Sequence, residues 1–328
     1  MTYVNLGRSG LKVSRACLGA MNFGIAHTAP WCDEKEAKRI IDAFLDTGNN
    51  FIDTASNYTG GQSEEVVGRA VADKRNAVVI ATKARMPQGP GPNDSGLSRL
   101  HLTAALDNSL RRLGVDHIDL FQMHSFDTDT PIEETMQTLD GFIRAGKVRY
   151  IGCSNFTGSQ IVEAQWAASR MGGVPLISLQ PRYSLISREI EADVLPTAQR
   201  QGLGTMIYGA LAGGILTGKY KRGEAPDPDT RYGGSMGTRG EAHMAAMAVK
   251  SLSLRNFDIA EAVTAVADEL GASPGAVATA WCLTRRGVTS AILGSRTLEQ
   301  LRANLTGFEL KLPEEAIKRL TDISQPQQ

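Results

Sequence analysis

The chain has 328 residues, and its 35 Lys plus Arg balance its 35 Asp plus Glu, so the formal net charge is zero. That balance argues against a nucleic-acid partner, which favours a basic face, but leaves room for a local basic pocket. No apolar run approaches the ~18 residues needed to span a bilayer. Met1-Thr2-Tyr3-Val4-Asn5 has no basic segment followed by an apolar one, so neither a membrane span nor a signal peptide is expected.

Residues 3–6 and 11–13 flank Gly7-Arg8-Ser9-Gly10 and predict a hairpin. A pattern then repeats: a short apolar run, a loop, and a longer stretch of helical periodicity. Run 16–20 precedes a helix over 33–46, with Ile40, Ile41, Phe44 and Leu45 on one face. Run 50–53 precedes a helix over 63–72. Run 77–83 precedes one over 98–113, where Leu102, Leu106, Leu110 and Leu113 are spaced by four and three. Runs 118–123, 148–153 and 176–180 precede helices over 132–145, 159–170 and 188–201. Run 204–208 is the seventh. More than forty residues rich in Gly, Pro, Arg and Asp follow it, a length that usually marks a functional or mobile loop. Helices over 259–270 and 274–285 come next, the second with Ser273 as N-cap and Pro274 at its first position. Run 289–293 is the eighth, followed by a helix over 298–304 and a last one from Pro313.

Strict alternation of strands and helices predicts a parallel sheet, and eight units close a TIM barrel. The expected fold is therefore a (β/α)8 barrel with an N-terminal hairpin, and with a long loop and extra helices between strands 7 and 8. Length alone suggests about two domains, but barrels of this size run as one, and residues 1–328 are expected to form a single domain. The rival is a doubly wound open sheet. Such a sheet usually carries Gly-x-Gly-x-x-Gly when it binds a dinucleotide, and that spacing is absent. Cys17, Cys32, Cys153 and Cys282 have no zinc-ligand spacing. They are expected to be free thiols in a reducing cytoplasm, with no metal site.

Polar residues collect at the strand ends. Asp53 ends the second run, Lys83 the third and His124 the fourth. Ser154 and Asn155 end the fifth, Gln180 the sixth and Tyr208 the seventh, while Gly294 and Ser295 follow the eighth. Each alone is more often a loop former. A barrel, however, gathers all of them at one mouth, where active sites sit.

Seven motifs in order carry a resemblance to the aldo-keto reductase family over nearly the whole chain. They are Phe51-Ile52-Asp53-Thr54-Ala55 with Tyr58, then Ala81-Thr82-Lys83, Gln122-Met123-His124 and Gly152-Cys153-Ser154-Asn155-Phe156. Leu179-Gln180, the segment 211–220 and Gly294-Ser295-Arg296 complete the set. The chain resembles the bacterial and potassium-channel β-subunit branch more than the aldose reductase branch. The resemblance implies an NADP-linked oxidoreductase for a small carbonyl compound. Its catalytic residues would be Tyr58, Asp53, Lys83 and His124.

The chemistry explains those types. Carbonyl reduction needs a hydride on carbon and a proton on oxygen. A phenol with a pKa near ~10 is a weak acid. The Lys83 ammonium is expected to lower it, Asp53 to keep Lys83 charged, and His124 to bond the carbonyl oxygen.

The resemblance also implies that Ser154, Asn155 and Gln180 hold a nicotinamide carboxamide and that Tyr208 stacks on the ring. Further cofactor contacts are expected from Gly19, Met21, Gly209, Leu211, Gly213, Lys219 and Arg231, with the pyrophosphate under residues 211–219. Gly213-x-x-x-x-Gly218-Lys219 mimics a P-loop, but Tyr220 stands where Ser or Thr would bind magnesium. The helix start at Gly294, Ser295 and Arg296, with Gln300 and Asn304, is expected to hold a 2′-phosphate. The chain departs from the aldose-reductase pattern there, with Gly294 in place of Lys and Gln300 in place of Arg. Arg296 is expected to compensate and to favour NADP(H) over NAD(H). Phe23, Trp31, Asn57 and Ser125 are candidate substrate contacts, and the aromatic ones suggest an uncharged carbonyl. Two alternatives are a cofactor-sensing partner of the channel-subunit type and the same site working as an alcohol dehydrogenase. No oligomeric state is legible.

Overall fold

The computed structural model describes residues 3–24, 32–227, 230–233 and 251–326. Eight parallel strands close into a barrel, as expected. In chain order they are β3 (Ala16–Gly19), β4 (Phe51–Asp53), β5 (Val79–Ala84), β6 (Ile118–Met123), β7 (Val148–Ser154), β8 (Ser178–Gln180), β9 (Gly204–Ile207) and β10 (Val288–Gly294). Each pairs with its sequence neighbour, and β10 pairs with β3 to complete the ring.

The helices between them are α1 (Glu34–Asp46), α2 (Gln62–Val71), α3 (Arg99–Leu113), α4 (Ile132–Arg144), α5 (Gly158–Arg170) and α6 (Val194–Arg200). The segment between β9 and β10 adds α7 (Leu254–Leu270) and α8 (Pro274–Thr284), and the chain continues through α9 (Leu298–Leu305) and α10 (Glu314–Ile323). The starts follow capping chemistry. Asp33, Ser98, Ser253 and Ser273 each accept an N–H from the first turn. The expected helix over 188–201 is instead a 3₁₀ turn at Glu189–Glu191 followed by α6. Asp193 breaks it: its backbone is non-helical (φ −133°, ψ −57°), and its carboxylate accepts from Gly158 N and Thr197 Oγ1.

The alternation of side chains in the strands separates two cores. Ile52, Ile80, Phe121 and Met123 face out against the helices. Cys17, Phe51, Ala81, Leu120 and Met206 fill the barrel interior. Asp53, Lys83 and Gln122 stand two residues beyond Phe51, Ala81 and Leu120, so period two places them one layer higher, at the C-terminal mouth.

The opposite end is closed by the hairpin of β1 (Tyr3–Asn5) and β2 (Lys12–Ser14). Leu6 and Val13 join the interior cluster. Gly7 is seated so tightly that a Cβ there would come within 2.4 Å of Ile177 O and 2.6 Å of Gly202 O. Its φ of +62° adds a second requirement for glycine. Among the described residues no helix is long and apolar enough to cross a membrane and no metal-ligand cluster is found. All four cysteines are buried and unpaired.

Candidate active site

Lys83 is fully buried, and its Nζ makes three contacts. It donates to Asp53 Oδ2 at 2.7 Å and to Thr54 O at 2.7 Å, and it lies 3.2 Å from Tyr58 Oη. An ammonium stripped of water needs such partners. Burial works against its charge, but Asp53 and Tyr58 outweigh it, and the Lys83 pKa sits above the ordinary lysine value. Asp53 is itself braced, its Oδ1 accepting from Gln180 Nε2 at 2.8 Å and Gln122 Nε2 at 3.3 Å.

Tyr58 opens a short 3₁₀ turn (Tyr58–Gly61) after β4. The chain between is fixed to the sheet, with Thr54 N bonded to Ala81 O and Ser56 N to Lys83 O. The Thr59 hydroxyl donates to Phe23 O at 2.8 Å, and its φ is +47°. One expectation is corrected here. Lys83 does pull the Tyr58 pKa down, but burial pushes harder the other way and Asp53 adds to it, so the phenol lies above its ordinary value. Removing the phenolate from water outweighs the attraction of an ammonium already engaged by Asp53.

The His124 ring meets Tyr58 edge-on, with centroids 5.8 Å apart. Burial, then the charges of Lys83 and Arg85, lower its pKa to about 3. The imidazole is therefore neutral at ordinary pH, and its Nδ1 is buried without a hydrogen-bond partner. The four expected catalytic side chains thus lie together, each at or just past a strand end.

The next strand ends are tied to one another. Ser154 Oγ donates to Gln180 O at 2.8 Å, and Asn155 Nδ2 bonds to His124 O and Ser154 Oγ. Tyr208 Oη donates to Asn155 Oδ1 at 3.0 Å. Asn155 has φ +58°, a left-handed conformation that Asn tolerates better than most residues. Gln180 gives one amide N–H to Asp53, so its oxygen and its second N–H remain for a carboxamide.

Past Tyr208 and Gly209, the chain enters a 3₁₀ segment (Ala212–Thr217) in which Gly213 and Gly214 both have positive φ. Leu211 precedes it. Lys219 folds back over the turn: a Cβ on Gly214 would lie 2.3 Å from Lys219 Cε. Desolvation, then repulsion from Arg296 and Arg231, lowers the Lys219 pKa. Three cations therefore converge on a glycine turn, a setting that suits an anionic phosphate.

At the start of α9 three amides are already taken. Leu298 N bonds to Glu36 Oε1, Arg296 N to Gln300 Oε1 and Gln300 N to Thr297 Oγ1. Asn304 Nδ2 bonds to Ser295 Oγ, and Ser295 is fully buried. Gly19 and Gly294 are strand partners, and a Cβ on Gly19 would meet Ile292 at 2.7 Å, so packing alone accounts for that glycine. Met21 is half-buried in the following turn.

Phe23 is fully buried and packs in the outer core, so its ring backs the mouth rather than lining it. Asn57 and Ser125 are half-buried beside Tyr58 and His124, and Asn57 Oδ1 lacks a partner. Trp31 lies outside the described residues. Three roles were not legible from sequence. Gln122 braces Asp53, and its parity, two residues before His124 on the inward face, was the available signal. Glu64 and Arg112 form an ion pair under the Tyr58 turn, and Arg85 stands beside His124; neither gave a signal.

The model of the Aldo/keto reductase family matches residues 15–325. The chain is 40% identical to the "Uncharacterized oxidoreductase YrpG" of Bacillus subtilis, over 98% of this chain and 96% of that protein. It is 38% identical to a "Probable voltage-gated potassium channel subunit beta" of Oryza sativa, over 94% and 92%. It is 33% identical to the "L-glyceraldehyde 3-phosphate reductase" of Escherichia coli, over 93% and 87%.

Proposed function

The chain belongs to the Aldo/keto reductase family of oxidoreductases, and on that premise we propose that it uses NADPH to reduce an aldehyde or ketone to the alcohol, with Tyr58 as proton donor. The observation that carries this reading is the buried Lys83 Nζ, bonded at once to Asp53 and Thr54 and in contact with the Tyr58 hydroxyl. The bound nicotinamide supplies the hydride for the carbonyl carbon, and the chain manages the proton. Tyr58 holds its proton at rest because its pKa is raised. It donates a hydrogen bond to the carbonyl oxygen and releases the proton as negative charge grows there. Lys83, kept charged by Asp53, stabilises the phenolate left behind. Neutral His124 donates a second hydrogen bond to the same oxygen and fixes its direction.

The residues present fit a dinucleotide. Ser154, Asn155 and Gln180 offer polar atoms for a carboxamide, and half-buried Tyr208 offers a ring face. Lys219, Arg231 and Arg296 provide the positive charge that phosphates need and that favours NADP(H) over NAD(H).

Tyr58→Phe should retain NADPH binding, followed by nucleotide fluorescence, while kcat falls by about 10²–10⁴-fold. Near-normal turnover would sink the assignment. The similarity to probable channel β-subunits supports a second reading, a cofactor-sensing partner. NADPH binding without turnover of any aldehyde in a broad panel, in either direction, would favour it.

A further inference from the structure

Arg85 follows the end of β5 and lies two residues beyond Lys83. Its φ is +148°, a region that residues with a side chain rarely adopt. The conformation is held on both sides, since Ala84 O accepts from His124 N at 2.9 Å and Arg85 O accepts from Gly96 N at 2.8 Å. Strained residues of this kind concentrate at ligand clamps.

Arg85 is half-buried, and one of its three guanidinium nitrogens lacks a partner. Its Nε is buried with no hydrogen-bond partner, an arrangement that costs free energy unless an acceptor arrives. The nearby carboxylate, Asp127, is attracted to Arg85 through space but makes no hydrogen bond to it. Its oxygens already accept from Leu97 N, Thr130 Oγ1 and Asp129 N, and it forms no ion pair with Arg85. The positive charge is felt at His124, where it opposes protonation. Nor does Arg85 serve the three-cation cluster. β5 stands four strands from β9 in the eight-stranded ring, on the far side of the mouth from Lys219.

Resting on the reductive reading of Tyr58, Lys83 and His124, we propose that Arg85 is a specificity residue that binds a carboxylate or phosphate carried by the carbonyl substrate. Anionic aldehydes or ketones then replace the uncharged ones suggested by Phe23 and Trp31. The guanidinium fork suits both oxyanions and can hold two oxygens at once. The bond it forms satisfies Nε and places the anion beside the carbonyl oxygen site at His124.

The test compares matched substrates. 4-Carboxybenzaldehyde is set against 4-methylbenzaldehyde, and glyceraldehyde 3-phosphate against glyceraldehyde, which separates carboxylate from phosphate. The wild type should prefer at least one anionic member in kcat/KM by about tenfold or more, the worth of one charge-assisted hydrogen bond. Arg85→Gln should abolish that ratio, and Arg85→Lys should restore part of it. No preference in the wild type, or the same ratio in Arg85→Gln, overturns the proposal. If the wild type reduces none of the four, the reductive reading fails separately. Calorimetric titration of 4-carboxybenzaldehyde and glyceraldehyde 3-phosphate into the NADPH-loaded protein then decides: binding lost in Arg85→Gln supports the anion site, and unchanged or absent binding overturns it. If Arg85→Gln does not fold, Arg85→Lys decides on the same ratio, with an unchanged preference overturning the proposal.

Discussion

His124 shows how burial turns an ordinary side chain into a specialised one. An unfolded histidine takes up a proton near pH ~6.5, whereas His124 in the fold resists protonation down to about 3. Between those values the unfolded chain binds the extra proton, so acidification in that window draws population away from the fold. The melting temperature of the wild type should therefore fall more steeply from pH 7 to pH 5 than that of His124→Gln. Parallel slopes in calorimetry would show that His124 carries no such linkage. At this scale Asp53, Lys83 and His124 were legible in the sequence because a polar residue ending an apolar run has few places to go in a barrel. Their couplings were not. The commitment of the Gln180 amide to Asp53 spans 127 positions, and the raised Tyr58 pKa reflects a burial that no local pattern reports.

Glu64 shows what the elements contribute. It lies on α2 and is fully buried, accepting from Thr82 Oγ1 of β5 at 2.6 Å and Arg112 Nε of α3 at 2.7 Å. Arg112 also reaches Ser56 O, two residues before Tyr58. One ion pair thus ties two helices and a strand to the turn that carries the proposed acid. Glu64→Ala leaves the guanidinium without its counter-charge and should cost about 3–5 kcal/mol in denaturant unfolding. A loss below about 0.5 kcal/mol, typical of surface changes, would show that the pair contributes nothing. The helices themselves were readable from apolar spacing and caps. The exception, residues 188–201, failed because Asp193 serves the amide of Gly158, a neighbour in space and not in sequence.

For the whole molecule, zero net charge hides a local excess. Lys219 and Arg231 come from the segment after β9 and Arg296 from just past β10, and the pairing of β10 with β9 brings the two segments together. If that cluster selects the 2′-phosphate, Arg296→Ala should raise the Kd for NADPH about tenfold or more while moving that for NADH much less. Equal effects on both nucleotides would refute the selection. The ring was legible because eight alternating units admit few closures. The bond that takes one amide at the start of α9 was not, because the carboxylate that meets it, Glu36, stands 262 positions away.

The hairpin beneath the barrel has a consequence for traffic. With Leu6, Gly7 and Val13 stoppering one end and packed side chains filling the interior, the C-terminal mouth is the single door. Two guests that share that mouth form a queue. Whichever lies deeper must arrive first and leave last, and the one at the door sets how long the other stays.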